Sequence, residues 1–127
     1  MAASEGTKKI LVIDDMEAQL SLAKILLQDV YDVSLAKSGK EALEMLFAGF
    51  VPDLVLLDIM MPEMDGWETY NRIRAISFLE EAPIVFITSA DGEEQRKHAA
   101  DCGAADFIVK PLIRKDLISR IDAILSK

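Results

Sequence analysis

Three aspartates in two places hold the chemical potential of this chain. Asp14 and Asp15 end the apolar run Lys9-Ile-Leu-Val-Ile, and Asp58 ends the run Asp53-Leu-Val-Leu-Leu. If both runs are parallel strands of one sheet, the carboxylates meet at its carboxyl edge, where acids about 4 Å apart repel by roughly 4 kcal/mol per pair at an effective dielectric of about 20. Such a cluster needs a cation. Two adjacent acids and a third from a neighbouring strand offer hard oxygen ligands suited to octahedral Mg2+, which keeps several waters and is readily completed by phosphate oxygens. A carboxylate can also be the nucleophile that takes a phosphoryl group, as an aspartyl phosphate. That transfer depends on positioning and charge neutralisation, which Mg2+, the ammonium of Lys110 and the hydroxyl of Thr88 would supply. Both of those residues also close apolar runs. No histidine is required, and the lone His98, inside a helical segment, is read as solvated.

The elements that must position these groups are legible as an alternation. Apolar runs rich in β-branched residues lie at about Lys8 to Ile13, Tyr31 to Leu35, Asp53 to Leu57, Ile84 to Thr88 and Asp106 to Val109. The third and fourth are continuously apolar, the mark of central strands buried on both faces of a parallel sheet. Between the runs, Ser38-Gly-Lys-Glu41 is a capping box ahead of Ala42, Leu43 and Leu46. Asp65 can cap a helix carrying Trp67, Tyr70 and Ile73, and Gly103 can close the segment from about Gly92. Strand and helix alternating through short connections give right-handed crossovers and helices on both faces: an α/β, doubly wound (βα)5 domain with a five-stranded parallel sheet. In such a sheet, ligands bind beyond the carboxyl ends of the strands. Asp14, Asp15, Asp58, Thr88 and Lys110 all close runs, and that coincidence outweighs the reading of each as an ordinary cap or surface residue.

Composition removes other classes. The 127 residues fit one domain with one core. The hydrophobic 51% is broken into runs far shorter than the ~20 residues that cross a bilayer, and no signal segment opens the chain. A soluble, cytoplasmic protein is expected, without membrane partners. A net charge of -8, with no basic cluster, argues against nucleic acid binding by this domain. The single Cys102 excludes an internal disulfide and fits a reducing compartment. Residues 1–7 are expected to be a flexible N-terminal tail, and residues 8–127 the folded unit.

Taken in order, the Asp14-Asp15 pair, Asp58-Ile-Met-Met-Pro62-Glu-Met-Asp65-Gly66, Thr88-Ser89-Ala90 and Lys110-Pro111 resemble the signature set of two-component response-regulator receiver domains, over nearly the whole chain. The resemblance implies a flavodoxin-like strand order 2-1-3-4-5. It makes Asp58 the phosphoacceptor, and Asp14, Asp15 and the backbone carbonyl of Met60 its companions at Mg2+ or Mn2+. Thr88 and Lys110 would bind the phosphoryl oxygens, Phe107 would be the aromatic that changes rotamer with the state, and Met60 and Ala90 would flank the phosphoryl group. The donor implied is a phosphohistidine on a sensor histidine kinase or phosphotransfer protein. An output domain or a downstream protein would receive the signal, and the domain would promote only its own phosphorylation and dephosphorylation. A stand-alone regulator and one part of a longer regulator are both compatible with the sequence.

Rival readings are weaker. A nucleotide-binding α/β enzyme needs a glycine-rich loop after the first strand, where this chain has Asp14-Asp-Met-Glu-Ala-Gln. An aspartyl-nucleophile phosphatase would have Asp-x-Asp there, but the second residue after Asp14 is Met16. A non-phosphorylated, protein-binding pseudo-receiver would lack an acid or the lysine, and none is missing. Pro62 and Gly66 shape the loop after Asp58, Pro111 can take a cis bond, and Met60, Met61 and Met64 are read as loop packing, since soft sulfur does not suit a hard cation.

The last two helical segments suggest where a signal leaves. Glu93 to Cys102 has only alanines and one cysteine as apolar groups and should be loosely held. In the final helix Ile113, Leu117, Ile121 and Ile124 should face the sheet, while Ile118 and Leu125 lie roughly 80 to 100° to one side. A partner surface including Ile118 and Leu125 is therefore expected, with a phosphorylation-dependent homodimer among its uses.

Overall fold

The computed structural model describes residues 7–89 and 92–126. All of the expected tail except Thr7 lies outside the described residues, as does Ala90. Five strands alternate with five helices: β1 (Lys9–Ile13), α1 (Glu17–Leu27), β2 (Asp32–Ala36), α2 (Gly39–Phe47), β3 (Leu54–Asp58), α3 (Gly66–Arg74), β4 (Ile84–Thr88), α4 (Glu93–Cys102), β5 (Asp106–Val109) and α5 (Arg114–Leu125). All strand pairs are parallel, in the order β2-β1-β3-β4-β5. The expected doubly wound architecture and strand order are both present.

The two-residue period of the strands explains the two layers. Leu11, Ile13, Val55, Leu57, Ile84 and Phe86 point to one face, where Leu46 of α2, Tyr70 and Ile73 of α3 and Ala99 of α4 cover them. Ile10, Val12, Leu54, Leu56, Val85 and Ile87 point to the other, under Leu20, Ala23 and Leu27 of α1 and Leu117 and Ile121 of α5. β3 and β4 bury all five of their residues, as central strands must, and β1 buries four of its five.

Local chemistry starts and ends the helices. Ser38 Oγ accepts from the Glu41 N–H at 3.0 Å, and Glu41 reaches back to the N–H of Lys37 at 2.8 Å, one residue beyond the reciprocal partner of a standard capping box. Asp65 Oδ1 accepts from the Glu68 N–H at 3.0 Å. Gly103 closes α4 with φ 90°, a left-handed conformation that glycine adopts without a Cβ penalty. After α3, a short 3-10 turn at Ser77–Leu79 is fastened by the Arg74 guanidinium, which donates to the carbonyls of Leu79 at 3.1 Å and Ala82 at 2.6 Å.

Two sequence expectations need correcting. Ile113 does not face the sheet: it is the residue before α5, with extended backbone, and is 62% exposed, while Leu112 turns inward in its place. The helical arc was extrapolated one turn too far, across a residue that is not helical. Ile118, Ile124 and Leu125 are half-buried and pack against the α1/α5 layer. Nor does Met60 pack within its loop. Ile59 and Met61 turn inward on either side of it, leaving Met60 61% exposed, while Met64 packs against the core.

Candidate functional site

Parallel register brings the acids together. Ile13 pairs with Leu57, so the residues that follow them, Asp14 and Asp58, stand level at the carboxyl edge of neighbouring strands. Carboxylate oxygens of Asp14, Asp15 and Asp58 lie within 4.8 Å of one another. Asp14 is 1% exposed and Asp58 3%, whereas Asp15 faces solvent. One strand over, Asp58 pairs with Ile87, and the next residue of β4 is Thr88, wholly buried. Lys110 follows β5 and donates its backbone N–H to the Thr88 carbonyl at 2.8 Å. The Lys110-Pro111 bond is cis.

The ammonium of Lys110 enters the acid cluster. Its Nζ is 2.9 Å from Asp14 Oδ2 and 3.7 Å from Asp58 Oδ1. The other oxygen of Asp14 accepts the Met16 N–H at 3.0 Å, which ties the cluster to the start of α1. Burial is the largest influence on Asp58 and, with the neighbouring Asp14 and then Asp15, raises its pKa to about 6. Lys110 and the Met60 N–H, which hydrogen-bonds the carboxylate, pull the other way. At neutral pH the group is therefore ionised yet more basic than an ordinary aspartate, which suits a nucleophile.

The start of α3 is pressed against the end of β3. Gly66 donates its N–H to the Ile59 carbonyl at 2.9 Å, and a Cβ at Gly66 would stand 2.5 Å from the Asp58 carbonyl oxygen and 2.7 Å from Ile59 Cα. Only glycine allows this approach. The intervening loop turns at Glu63, with φ 66°. Beside Asp15, between this loop and the start of α2, opens a cleft of about 470 Å3 bordered by Lys37, Lys40, Met61 and Met64.

The remaining sequence candidates lie elsewhere. Phe107, 8% exposed, is packed into the α2/α3/α4 layer with the Arg96 guanidinium 5.0 Å from its ring centre. Ile118 and Leu125 are on α5, whose Arg120 pairs with Asp106 of β5 at 3.0 Å. Sequence reasoning did not find the contact between α3 and α4: His98, exposed as expected, stacks on Trp67 at 4.0 Å and 21°. Tyr70 adds a hydrogen bond from its hydroxyl to the Cys102 carbonyl at 2.6 Å. The aromatic content of α3 opposite the only histidine was the available signal.

The donor set fits a hard divalent cation: the clustered oxygens are carboxylates, no thiolate or imidazole joins them among the described residues, and the single ammonium leaves the cluster net negative. Among the described residues, no helix is long and apolar enough to cross a membrane.

Comparison with known proteins agrees with this geometry. Residues 10–122 match the profile of the response regulator receiver domain family. Response regulator MprA of Mycolicibacterium vanbaalenii is 38% identical over 120 residues, covering 94% of this chain and 51% of that protein. Response regulator PleD of Caulobacter vibrioides is 39% identical over 114 residues, covering 89% of this chain and 25% of that protein. The chain thus spans about half the length of the first and a quarter of the second. The solved structure of Vibrio cholerae chemotaxis protein CheY4 superposes with a TM-score of 0.84 at 29% identity, covering 93% of this chain and 98% of that one.

Proposed function

Because this chain belongs to the response regulator receiver domain family, we propose that it is the phosphoacceptor switch of a two-component phosphorelay, with Asp58 as the acceptor. The observation that carries this reading is the juxtaposition of Asp14, Asp15 and Asp58 with the Lys110 ammonium at one sheet edge. A carboxylate oxygen of Asp58 attacks the phosphorus of a phosphohistidine on a sensor kinase or phosphotransfer protein. The new O–P bond forms as the P–N bond breaks, and the electron pair returns to the donor imidazole. Lys110 and the Thr88 hydroxyl hold the phosphoryl oxygens.

Asp14, Asp15, Asp58 and the carbonyl of Met60 would hold Mg2+ or Mn2+. When bound, the ion offsets the clustered negative charge that otherwise repels an incoming phosphoryl group. The receiver unit is residues 8–127, working in the cytoplasm, and its own phosphorylation and dephosphorylation are the only reactions it promotes. Phe107 and Thr88 pass the state to α4, β5 and α5. That surface, including Ile118 and Leu125, controls an output domain, a downstream partner or a second copy.

The test is direct. Incubation with acetyl phosphate or phosphoramidate should add one phosphoryl mass to the intact protein only when Mg2+ is present. Asp58→Ala should gain nothing, Asp15→Ala should lose the metal-dependent reaction, and Asp14→Ala should be impaired. A phosphoryl mass that persists in Asp58→Ala defeats the assignment.

A further inference from the structure

One polar group between α3 and α4 is buried without a partner. Gln95, in the first turn of α4, has its side-chain carbonyl oxygen Oε1 out of reach of solvent, and no donor among the described residues reaches it. Native structures rarely leave such an acceptor unmade, because its hydration is lost with nothing in return. Gln95 borders a cleft of about 400 Å3 with Ile59, Met60, Met61, Asp65 and Trp67. Of these neighbours only Trp67 has a side-chain N–H. Three backbone donors nearby are engaged: the Ile59 N–H with the Ile87 carbonyl, the Gly66 N–H with the Ile59 carbonyl, and the Met60 N–H with the Asp58 carboxylate.

The same helix already touches that indole, since His98, three residues beyond Gln95, stacks on it. Trp67 is anchored from below by Phe86, 4.6 Å away. α4 is the movable partner, because Ala99 is its only buried residue. Both walls of the cleft begin at the acid site: Ile59 to Met61 directly follow Asp58, and β4 ends in Thr88 before the connection to α4.

We propose that Gln95 is a positioning residue for the phosphorylated state: its Oε1 accepts the Trp67 Nε1–H when α4 shifts. This inference rests on the phosphoacceptor reading above. A hydrogen bond missing in the resting arrangement and made in the other favours the second by the full difference, so the unsatisfied oxygen biases the switch towards activation. Gln95 and Trp67 thereby couple the loop after Asp58 to the helix that changes.

The test uses the full chain with Mg2+ and beryllofluoride, a stable stand-in for the phosphoryl group, titrated calorimetrically into wild type, Gln95→Met, Trp67→Phe and the double variant. Methionine keeps the length of glutamine without its amide. Gln95→Met should melt at a higher temperature than wild type in the resting state, yet bind beryllofluoride at least about five-fold more weakly. Trp67→Phe should also bind more weakly, and the double variant should lose little beyond the worse single change. If Gln95→Met binds as tightly as wild type, or its loss adds in full to that of Trp67→Phe, the proposal is overturned. A wild type that does not bind beryllofluoride overturns the phosphoacceptor reading, and this inference with it.

Discussion

Lys110 Nζ is bonded to Asp14, at 2.9 Å, and stands off from Asp58 at 3.7 Å. Asp14, and not the proposed acceptor, is therefore the acid nearer the positive charge. Asp58 keeps a raised pKa beside an ammonium, because burial and the neighbouring Asp14 outweigh that ammonium.

The pH dependence of stability follows from Asp58. Unfolded, its carboxyl titrates near ~3.9, while folded it holds its proton up to about 6, so between these values the native state binds more protons. Its contribution is therefore present below the lower value and lost as pH rises through about 6. Without divalent cations, Asp58→Asn should be about 3 kcal/mol more stable than wild type at pH 8. The gain should vanish at pH 4. Urea denaturation at both pH values measures this, and an equal gain at pH 4 contradicts it.

Removing the ammonium should reverse the balance. Lys110→Met leaves Asp14 buried without its cation, and without divalent metal it should lose about 3 kcal/mol of stability. Millimolar Mg2+ should raise the melting temperature of wild type, and raise that of Lys110→Met by more. An unchanged melting temperature for wild type in Mg2+ argues against a shared cation site.

The lifetime of the phosphoryl group should depend on what can orient an attacking water beside it. Met60 is exposed next to Asp58 and offers no hydrogen bond from its side chain. Spontaneous decay should be slow, and Met60→Asn, which supplies an amide, should change its rate by more than about twofold. Rates from phosphate release after removal of the donor decide it; Ala90→Glu belongs in the same series.

The output surface is tested on Ile118. Light scattering with and without beryllofluoride should show activated wild type self-associating and Ile118→Lys remaining monomeric. A monomeric activated wild type rejects self-association and leaves a foreign partner. Equal dimerisation of Ile118→Lys moves the interface elsewhere.

Much of this was legible in the sequence because the signals were local. Continuous apolar runs placed β3 and β4, Ser38 and Asp65 marked the starts of α2 and α3, and Gly103 marked the end of α4. The start of α1 carried no such mark: the residue before it is Met16, and Asp14, two residues earlier, sits in the acid cluster, where it accepts from the Met16 N–H and from Lys110 Nζ. Ile113 was misplaced because its spacing fits a helix that begins one residue later. The preference of Lys110 for Asp14 and the stack of His98 on Trp67 join residues distant in sequence. Residue types alone do not specify such contacts, because several partners of the same chemistry compete for each.

The strand order also governs how the chain must assemble. Among the described residues no two strands are joined by a hairpin, so every ladder closes across a helix, and β1 remains an open edge until β3 arrives from beyond both β2 and α2. Closing loops of that length before their contacts form makes such sheets slow to fold. During synthesis the early fragment β1-α1-β2-α2 leaves the backbone groups of Leu11 and Ile13 along an unpaired edge, a hazard for intermolecular pairing. The step that removes this edge is the same one that forces Asp14 and Asp58 together. The chain therefore meets its greatest charge repulsion as it relieves its greatest exposure of apolar backbone, and divalent cations present at that moment should speed folding as well as stabilise its product.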